Sequence, residues 1–152
     1  MGSIMLFVKR KPVVKVLMKE VHRLFIASAR IRSARNMIEK IKDRKLDSVL
    51  IVTALAGIPV SSKDLASMNI NAAIKDIEKT ITTLEKVRRR IEKDYPHLYV
   101  SRVKLLLEDI ITVLEEAVGS KDNIDLTLEL IDKASFMLKY LIGELANHRI
   151  LI

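Results

Sequence analysis

The chain has 152 residues, of which 49% are hydrophobic and 30% are charged, and its formal net charge is +8. This length is typical of one folded domain with a real core. Cysteine is absent, which excludes disulfides, thiolate catalysis and Cys-ligated zinc. No apolar run approaches the roughly 20 residues of a transmembrane helix, so we expect a cytoplasmic protein. The lack of glutamine and the many Lys, Arg, Glu and Ile residues favour a thermophilic source.

The positive charge is concentrated in the first third of the chain. Residues 1–45 carry 13 Lys and Arg and 3 acidic residues, whereas residues 46–152 carry 14 basic and 16 acidic residues. Basic clusters of this kind are typical of surfaces that meet phosphate groups, either of nucleic acid or of anionic lipids. We therefore place the candidate anion-binding residues in the first segment. They are Lys9, Arg10, Lys11, Lys15, Lys19, Arg23 and Arg30.

The apolar residues after Pro12 recur at three- and four-residue spacing, which predicts a long basic helix over 12–46. Its predicted apolar face consists of Leu17, Val21, Leu24, Ser28, Ile31, Ala34, Ile38 and Ile41. A neighbouring face carries the cations Lys11, Lys15, Lys19, Arg23, Arg30, Lys40 and Arg44. The predicted helix is therefore amphipathic, with its positive charge arranged as a stripe.

The remainder of the chain is also predicted to be helical. Short helices are expected over 48–68, although the β-branched residues of 48–60 leave a strand open as an alternative there. Gly57 and Pro59 are typical of the end of such a segment. Longer helices are predicted from their apolar periodicity over 71–94, 97–118 and 123–148. The expected fold class is all-α, either a helical bundle or an extended helical array.

The sequence contains no complete catalytic or metal-binding motif. His22, His97 and His148 lie far apart and form neither the HExxH nor the ExxH spacing. The four glycines form no P-loop, no dinucleotide-binding pattern and no nucleophile elbow. We therefore predict a non-catalytic protein without a metal, a cofactor or a small-molecule substrate.

One spacing resembles a ribonuclease motif. In "RIEKDYPH" six residues separate Arg90 from His97, and an Arg followed a few residues later by His resembles the motif of the HEPN ribonucleases, which are also all-α. That resemblance implies that His97 acts as a base on a ribose hydroxyl while Arg90 holds a phosphate. Ile91 stands directly after Arg90, where that family usually has a polar residue. A HEPN-like ribonuclease is kept as an alternative.

A longer stretch, from Val21 to about Val87, resembles archaeal CdvB and other ESCRT-III proteins. Three segments carry the resemblance: "SARIRSARNMIEKIKD", "DSVLIVTALAGIPV" and "LASMNINAAIKDIEKTI". They are similar, in order, to that family's long helix, its apolar stretch with a small-residue turn, and the helix that follows. The resemblance implies a self-associating scaffold that lays a basic helical face on anionic membrane. The alternative that the charge pattern leaves open is an accessory subunit that binds nucleic-acid phosphates through the same residues.

Overall fold

The structure is a computed structural model that describes residues 2–42, 55–57, 62–96 and 102–148, with side chains described for 18–42, 55–57, 66–96 and 102–146. The all-α prediction is confirmed, because these residues form helices and turns and contain no strand. The four helices are α1 (Gly2–Lys42), α2 (Ser62–Asp94), α3 (Lys104–Gly119) and α4 (Ile124–His148).

The start of α1 differs from the prediction. The helix begins at Gly2 and not at Pro12, so the proline lies inside it. Proline has no backbone N–H, and the carbonyl of Val8 therefore lacks its usual helical donor. With its 41 residues, α1 is about 60 Å long.

The second helix also differs from the prediction, which placed a break between 48–68 and 71–94. Instead α2 runs without interruption from Ser62 through Asn69 and Asn71. Its apolar period continues across these asparagines, because Ile70 packs against the same core as Ala73, Ile74 and Ile77 further along the helix. Burial of a continuous apolar face outweighs the modest helix propensity of asparagine.

Most of the segment before α2 lies outside the described residues. The prediction of a helix or a strand over 48–60 is therefore tested only at 55–57. Leu55 is helical and is followed by a turn at Ala56 and Gly57. Gly57 has φ +76°, a left-handed conformation that favours glycine. The turn at Gly57 therefore agrees with the predicted end of a segment at this position. The last two helices lie close to their predicted ranges, although residues 97–101, predicted as the start of the third, are not described.

Contacts across α1 and α2 show that these helices are antiparallel. The Nη1 of Arg90 on α2 lies 3.6 Å from the carboxylate of Glu20. Ten positions later on α1, Arg30 donates a hydrogen bond to Thr83, which precedes Arg90 on α2. Because positions increase along α1 as they decrease along α2, the two helices run in opposite directions.

The same reasoning places α4 on the other side of α1. Arg35 bonds to Asp132 and Lys42 bonds to Asp125, so these two helices are antiparallel as well. A short turn connects α3 to α4, where Thr127 donates to the carbonyl of Ser120 at 2.7 Å. The result is an up-down-up-down four-helix bundle in which α1 packs chiefly between α2 and α4, with α3 diagonally opposite.

The four helices share one hydrophobic core. The predicted apolar face of α1 is confirmed from Val21 to Ile38, whereas Ile41 is only partly buried. Ala27, Ser28 and Ala34 are small and buried, which lets α1 approach its neighbours closely. The largest fully buried side chains are Leu24, Ile31, Ile38, Ile77, Leu84, Ile91, Leu107, Ile110, Leu114, Ile131 and Leu138.

Replacement of a core leucine tests this packing. Leu84 is fully buried, and Leu84→Ala should lower the free energy of unfolding by about 2–5 kcal/mol through lost burial and a new cavity. The matched control is Leu105→Ala on α3, where the leucine is 60% exposed and the expected change is about 0.5 kcal/mol or less. Urea unfolding measures both variants, and equal losses in the two would contradict the placement of the core.

Candidate anion-binding surface of α1

The predicted anion-binding residues divide into three groups in the structure. Lys9, Arg10, Lys11 and Lys15 lie within α1, but their side chains are outside the described part of the chain. Lys19 is exposed to solvent. The remaining two, Arg23 and Arg30, are partly buried and reach toward polar partners on α1 or α2.

The side of α1 that faces solvent combines cations with apolar side chains. We call this surface the outer face of α1; it consists of the exposed residues Met18, Lys19, His22, Phe25, Ile26, Ala29 and Arg32. Met18 is 45% exposed, Phe25 57% and Ile26 44%. These three residues were not predicted as part of a site. Their spacing could have identified them. Met18 and Phe25 are seven residues apart, on one side of the helix, and lie off the apolar face that includes Leu24 and Ile31.

A basic groove runs between α1 and α2. This α1–α2 groove has a cavity of about 270 Å³ and is lined by Arg23, Ile26, Thr83, Lys86 and Arg90. Arg30 lies at the same place, since its Nη1 donates a 3.2 Å hydrogen bond to the hydroxyl of Thr83. The groove therefore combines cations from two helices that are distant in sequence.

The contribution of α2 to this groove was missed by sequence reasoning. Arg90 was considered only for its spacing to His97, and Lys86 was given no role. Thr83, Lys86 and Arg90 follow one another at three- and four-residue spacing, which places them on one side of a helix. That spacing is the signal that could have grouped them, although it does not show which helix they face.

A buried carboxylate organises the arginines of the groove. Glu20 is only 1% exposed, and its Oε1 accepts from the Nη1 of Arg23 and lies 3.6 Å from the Nη1 of Arg90. Its Oε2 is buried and has no hydrogen-bond partner in the part of the chain that the structure describes. Burial raises the pKa of Glu20 above its ordinary value, while the two arginines oppose this shift. The nearby Tyr95 is also buried, and its pKa is raised by burial and by the charges of Asp94 and Glu20.

Because it pairs with Glu20, Arg23 cannot be treated as a simple surface charge. Its reversal to Glu would place a second carboxylate beside the buried one, and like charges at such a distance repel strongly. Charge reversal at Arg23 should therefore lower the stability of the bundle and is unsuited to a test of surface charge. Lys19 and Arg32 are exposed cations of the outer face and are better suited to such changes.

The carboxyl-terminal half of α1 uses its cations within the bundle. Arg35 bonds through Nη1 to Glu39 at 2.7 Å and through Nε to Asp132 at 2.6 Å. The hydrogen bond to Asp132 raises the pKa of Arg35. Lys42 pairs with Asp125 of α4 at 2.9 Å. The acidic second half of the chain thus neutralises one end of the basic helix, and the surplus positive charge lies toward its other end.

The described residues include only one of the two residues of the ribonuclease alternative and no group of metal ligands. Arg90 is paired with Glu20, while His97 lies outside the described ranges, so the ribonuclease alternative stays a prediction. Across the ranges with described side chains, no three His, Asp or Glu residues are grouped to hold a metal ion. What the arrangement offers chemically is positive charge, N–H donors and exposed apolar area.

Comparison of the chain with protein-family models, with curated proteins and with solved structures finds no match. None of the described helices is both long and apolar enough to cross a bilayer. The functional interpretation therefore rests on the residues of α1 and α2 themselves.

Substitution of Glu20 by Gln tests the effect of burial on its ionisation. The pKa of Glu20 is raised above 4.5 in the folded protein, so the folded state binds this proton more tightly than the unfolded chain does. The free energy of unfolding of the parent should therefore rise, relative to Glu20→Gln, as the pH falls from about 7 to about 4, below the ordinary pKa of a glutamate. Urea unfolding of both proteins at the two pH values measures this difference.

Other carboxylates titrate in both proteins, so their contributions cancel in the comparison. A parent that instead loses stability relative to Glu20→Gln over this pH range would show that the two arginines, and not burial, determine the pKa of Glu20.

Proposed function

We propose that the protein is a non-catalytic helical scaffold that binds anionic membrane through the outer face of α1. The observation that carries this proposal is the exposure of Met18, Phe25 and Ile26 on the same surface as Lys19 and Arg32. A helical surface that offers both cations and large apolar side chains is typical of proteins that lie in the interface of a bilayer. Nucleic-acid phosphates would use the cations but leave the apolar side chains without a role.

The two kinds of side chain contribute comparable energies. Each Lys or Arg near an anionic membrane contributes about 1 kcal/mol. An apolar side chain that is about half exposed contributes roughly 1 kcal/mol when it enters the interface. Three apolar side chains and two cations lie on this surface, and because each contributes little alone, both sets should be required for binding.

The length of α1 supports the same proposal. Glu20 lies opposite Arg90, which is close to the carboxyl end of α2. The helical turns of α1 before Met18 therefore extend past that end. This part of the sequence includes Lys9, Arg10, Lys11 and Lys15, which add four positive charges to the proposed membrane contact.

Self-association is a second part of the proposal. The resemblance of residues 21–87 to ESCRT-III proteins supports it, since those proteins polymerise on membranes. Phe136 and Tyr140, one helical turn apart on α4, are 75% and 47% exposed and offer apolar area for a second copy of the chain. Electron microscopy of the protein on anionic vesicles should reveal ordered assemblies, and a monomer on such vesicles would contradict this part.

A basic accessory subunit that binds nucleic-acid phosphates is the second candidate. The observation that favours it is the gathering of Arg23, Lys86 and Arg90 in the α1–α2 groove. Like binding to an anionic membrane, binding to nucleic acid would weaken steeply with salt. Salt dependence therefore cannot separate the two candidates, whereas removal of the apolar side chains can.

The decisive variant replaces the apolar residues of the outer face and keeps every charge. Met18→Ser, Phe25→Ser and Ile26→Ser in one chain should weaken binding to anionic vesicles by about 100-fold, because three apolar contacts are lost. Binding to single-stranded RNA or duplex DNA, if the parent shows any, should stay unchanged. Sedimentation with vesicles measures the first and fluorescence anisotropy the second.

Leu105→Ser is the matched control, since Leu105 is an exposed apolar residue on α3, diagonally opposite α1. It should bind vesicles like the parent. A triple variant that binds vesicles as tightly as Leu105→Ser would exclude the outer face of α1 as a membrane contact.

A further inference from the structure

The α1–α2 groove holds more positive charge than the described residues neutralise. Arg23, Lys86 and Arg90 line its cavity. One carboxylate, Glu20, contacts two of these cations, Arg23 and Arg90. Lys86 makes no ion pair within the described part of the chain. The three cations that line the cavity outnumber the one carboxylate that contacts them, and Arg30, bonded to Thr83, adds a further positive charge at the groove.

The donors of the groove suit an oxyanion. The Nη1 atoms of Arg23 and Arg90 approach Glu20. A guanidinium carries five N–H donors, more than one carboxylate oxygen can accept from, so donors remain for a ligand. Guanidinium groups also match the spacing of phosphate oxygens, with which they form charge-assisted hydrogen bonds. The Thr83 hydroxyl donates to the carbonyl of Lys79 at 3.0 Å and accepts from Arg30 at 3.2 Å, so Thr83 holds Arg30 at the groove and is not itself a free donor.

The groove opens beside the outer face of α1. Ile26 belongs to both, since it lines the groove and is 44% exposed. If the outer face contacts a bilayer, lipid headgroups come within reach of Arg23, Lys86 and Arg90. The apolar side of the groove would then face the lipid, and its cations would face the phosphate.

We propose that the α1–α2 groove binds a phosphate monoester, with a membrane lipid that ends in such a group, phosphatidate, as its source. A phosphate monoester carries a charge of about −1.5 to −2 at pH 7, which suits a groove where the cations outnumber the carboxylates. A phosphodiester carries a single negative charge and offers fewer free oxygens. This inference rests on the proposed membrane function for the source of the phosphate, and it adds a preference among anionic lipids.

The test compares two kinds of vesicle with equal surface charge, one containing phosphatidate and the other phosphatidylserine, each in phosphatidylcholine. The parent should bind the phosphatidate vesicles about tenfold more tightly. Lys86→Gln should lose this preference, while its thermal unfolding stays unchanged because Lys86 has no ion pair among the described residues. Lys121→Gln is the matched control, since it removes the same charge from the turn between α3 and α4, at the other end of the bundle.

A second experiment uses no membrane and measures the binding of soluble glycerol phosphate to the protein by phosphorus NMR. Equal binding of the parent to both vesicle types would overturn the monoester preference and leave the proposed membrane function intact. A loss of preference in Lys121→Gln equal to that in Lys86→Gln would likewise overturn the groove as its source.

Binding of glycerol phosphate that Lys86→Gln weakens, together with no vesicle binding by the parent, would support the groove and exclude the membrane function. Absence of binding in both experiments would exclude both proposals. An oligonucleotide without terminal phosphates is the last probe. If it binds the parent but not Lys86→Gln, the preference for a phosphate monoester would be wrong and the nucleic-acid candidate would be favoured.

Discussion

The ion pairs of a buried carboxylate fix how α1 sits on α2. Glu20 is the one charged side chain that is buried among the described residues, and burial of an isolated carboxylate costs several kcal/mol. Arg23 from the same helix and Arg90 from α2 offset this cost. A slip of α1 by one turn, about 5.4 Å, would separate Glu20 from Arg90 and leave the carboxylate poorly compensated. Apolar packing alone tolerates such slips better, because one row of Ile and Leu side chains resembles the next.

Both candidate surfaces depend on this register. The α1–α2 groove exists only where Arg23 lies across from Lys86 and Arg90, and the outer face turns to solvent only when the opposite face of α1 is buried. At the other end of α1, ion pairs with α4 use Arg35 and Lys42. One long helix therefore makes different contacts along its length, because Arg35 and Lys42 bind α4 while Arg23 and Arg30 lie at the groove with α2.

The sequence predicted those features that depend on one helix at a time. The apolar face of α1 and the range of α4 follow from periodicity, which a single helix displays in full. Pro12 and Asn71 were overestimated as helix boundaries, since local propensity yields to a continuous buried face. The burial of Glu20 could also have been predicted, because it lies three helical turns before Ile31, on the buried side of α1.

The groove could not be predicted in the same way. Its residues come from two helices, and the sequence of either helix does not show which positions of the other it will meet. Lys86 and Arg90 are ordinary helical cations until the packing places them across from Arg23. Likewise, the exposure of Phe25 depends on α2 and α4 lying to the sides of α1 and leaving its outer face uncovered.

The pairing of Arg35 with Asp132 has a consequence for biosynthesis. The two residues are 97 positions apart in sequence. At roughly 5–20 residues per second, the ribosome needs about 5–20 s to make the chain between them. During that interval α1 has left the peptidyl transferase centre while the acidic partners of Arg35 and Lys42 on α4 do not yet exist. Residues 1–45 carry 13 basic and 3 acidic residues, a net charge of +10 against +8 for the whole chain, so the nascent chain exposes its basic helix before the neutralising carboxylates of α4 are made.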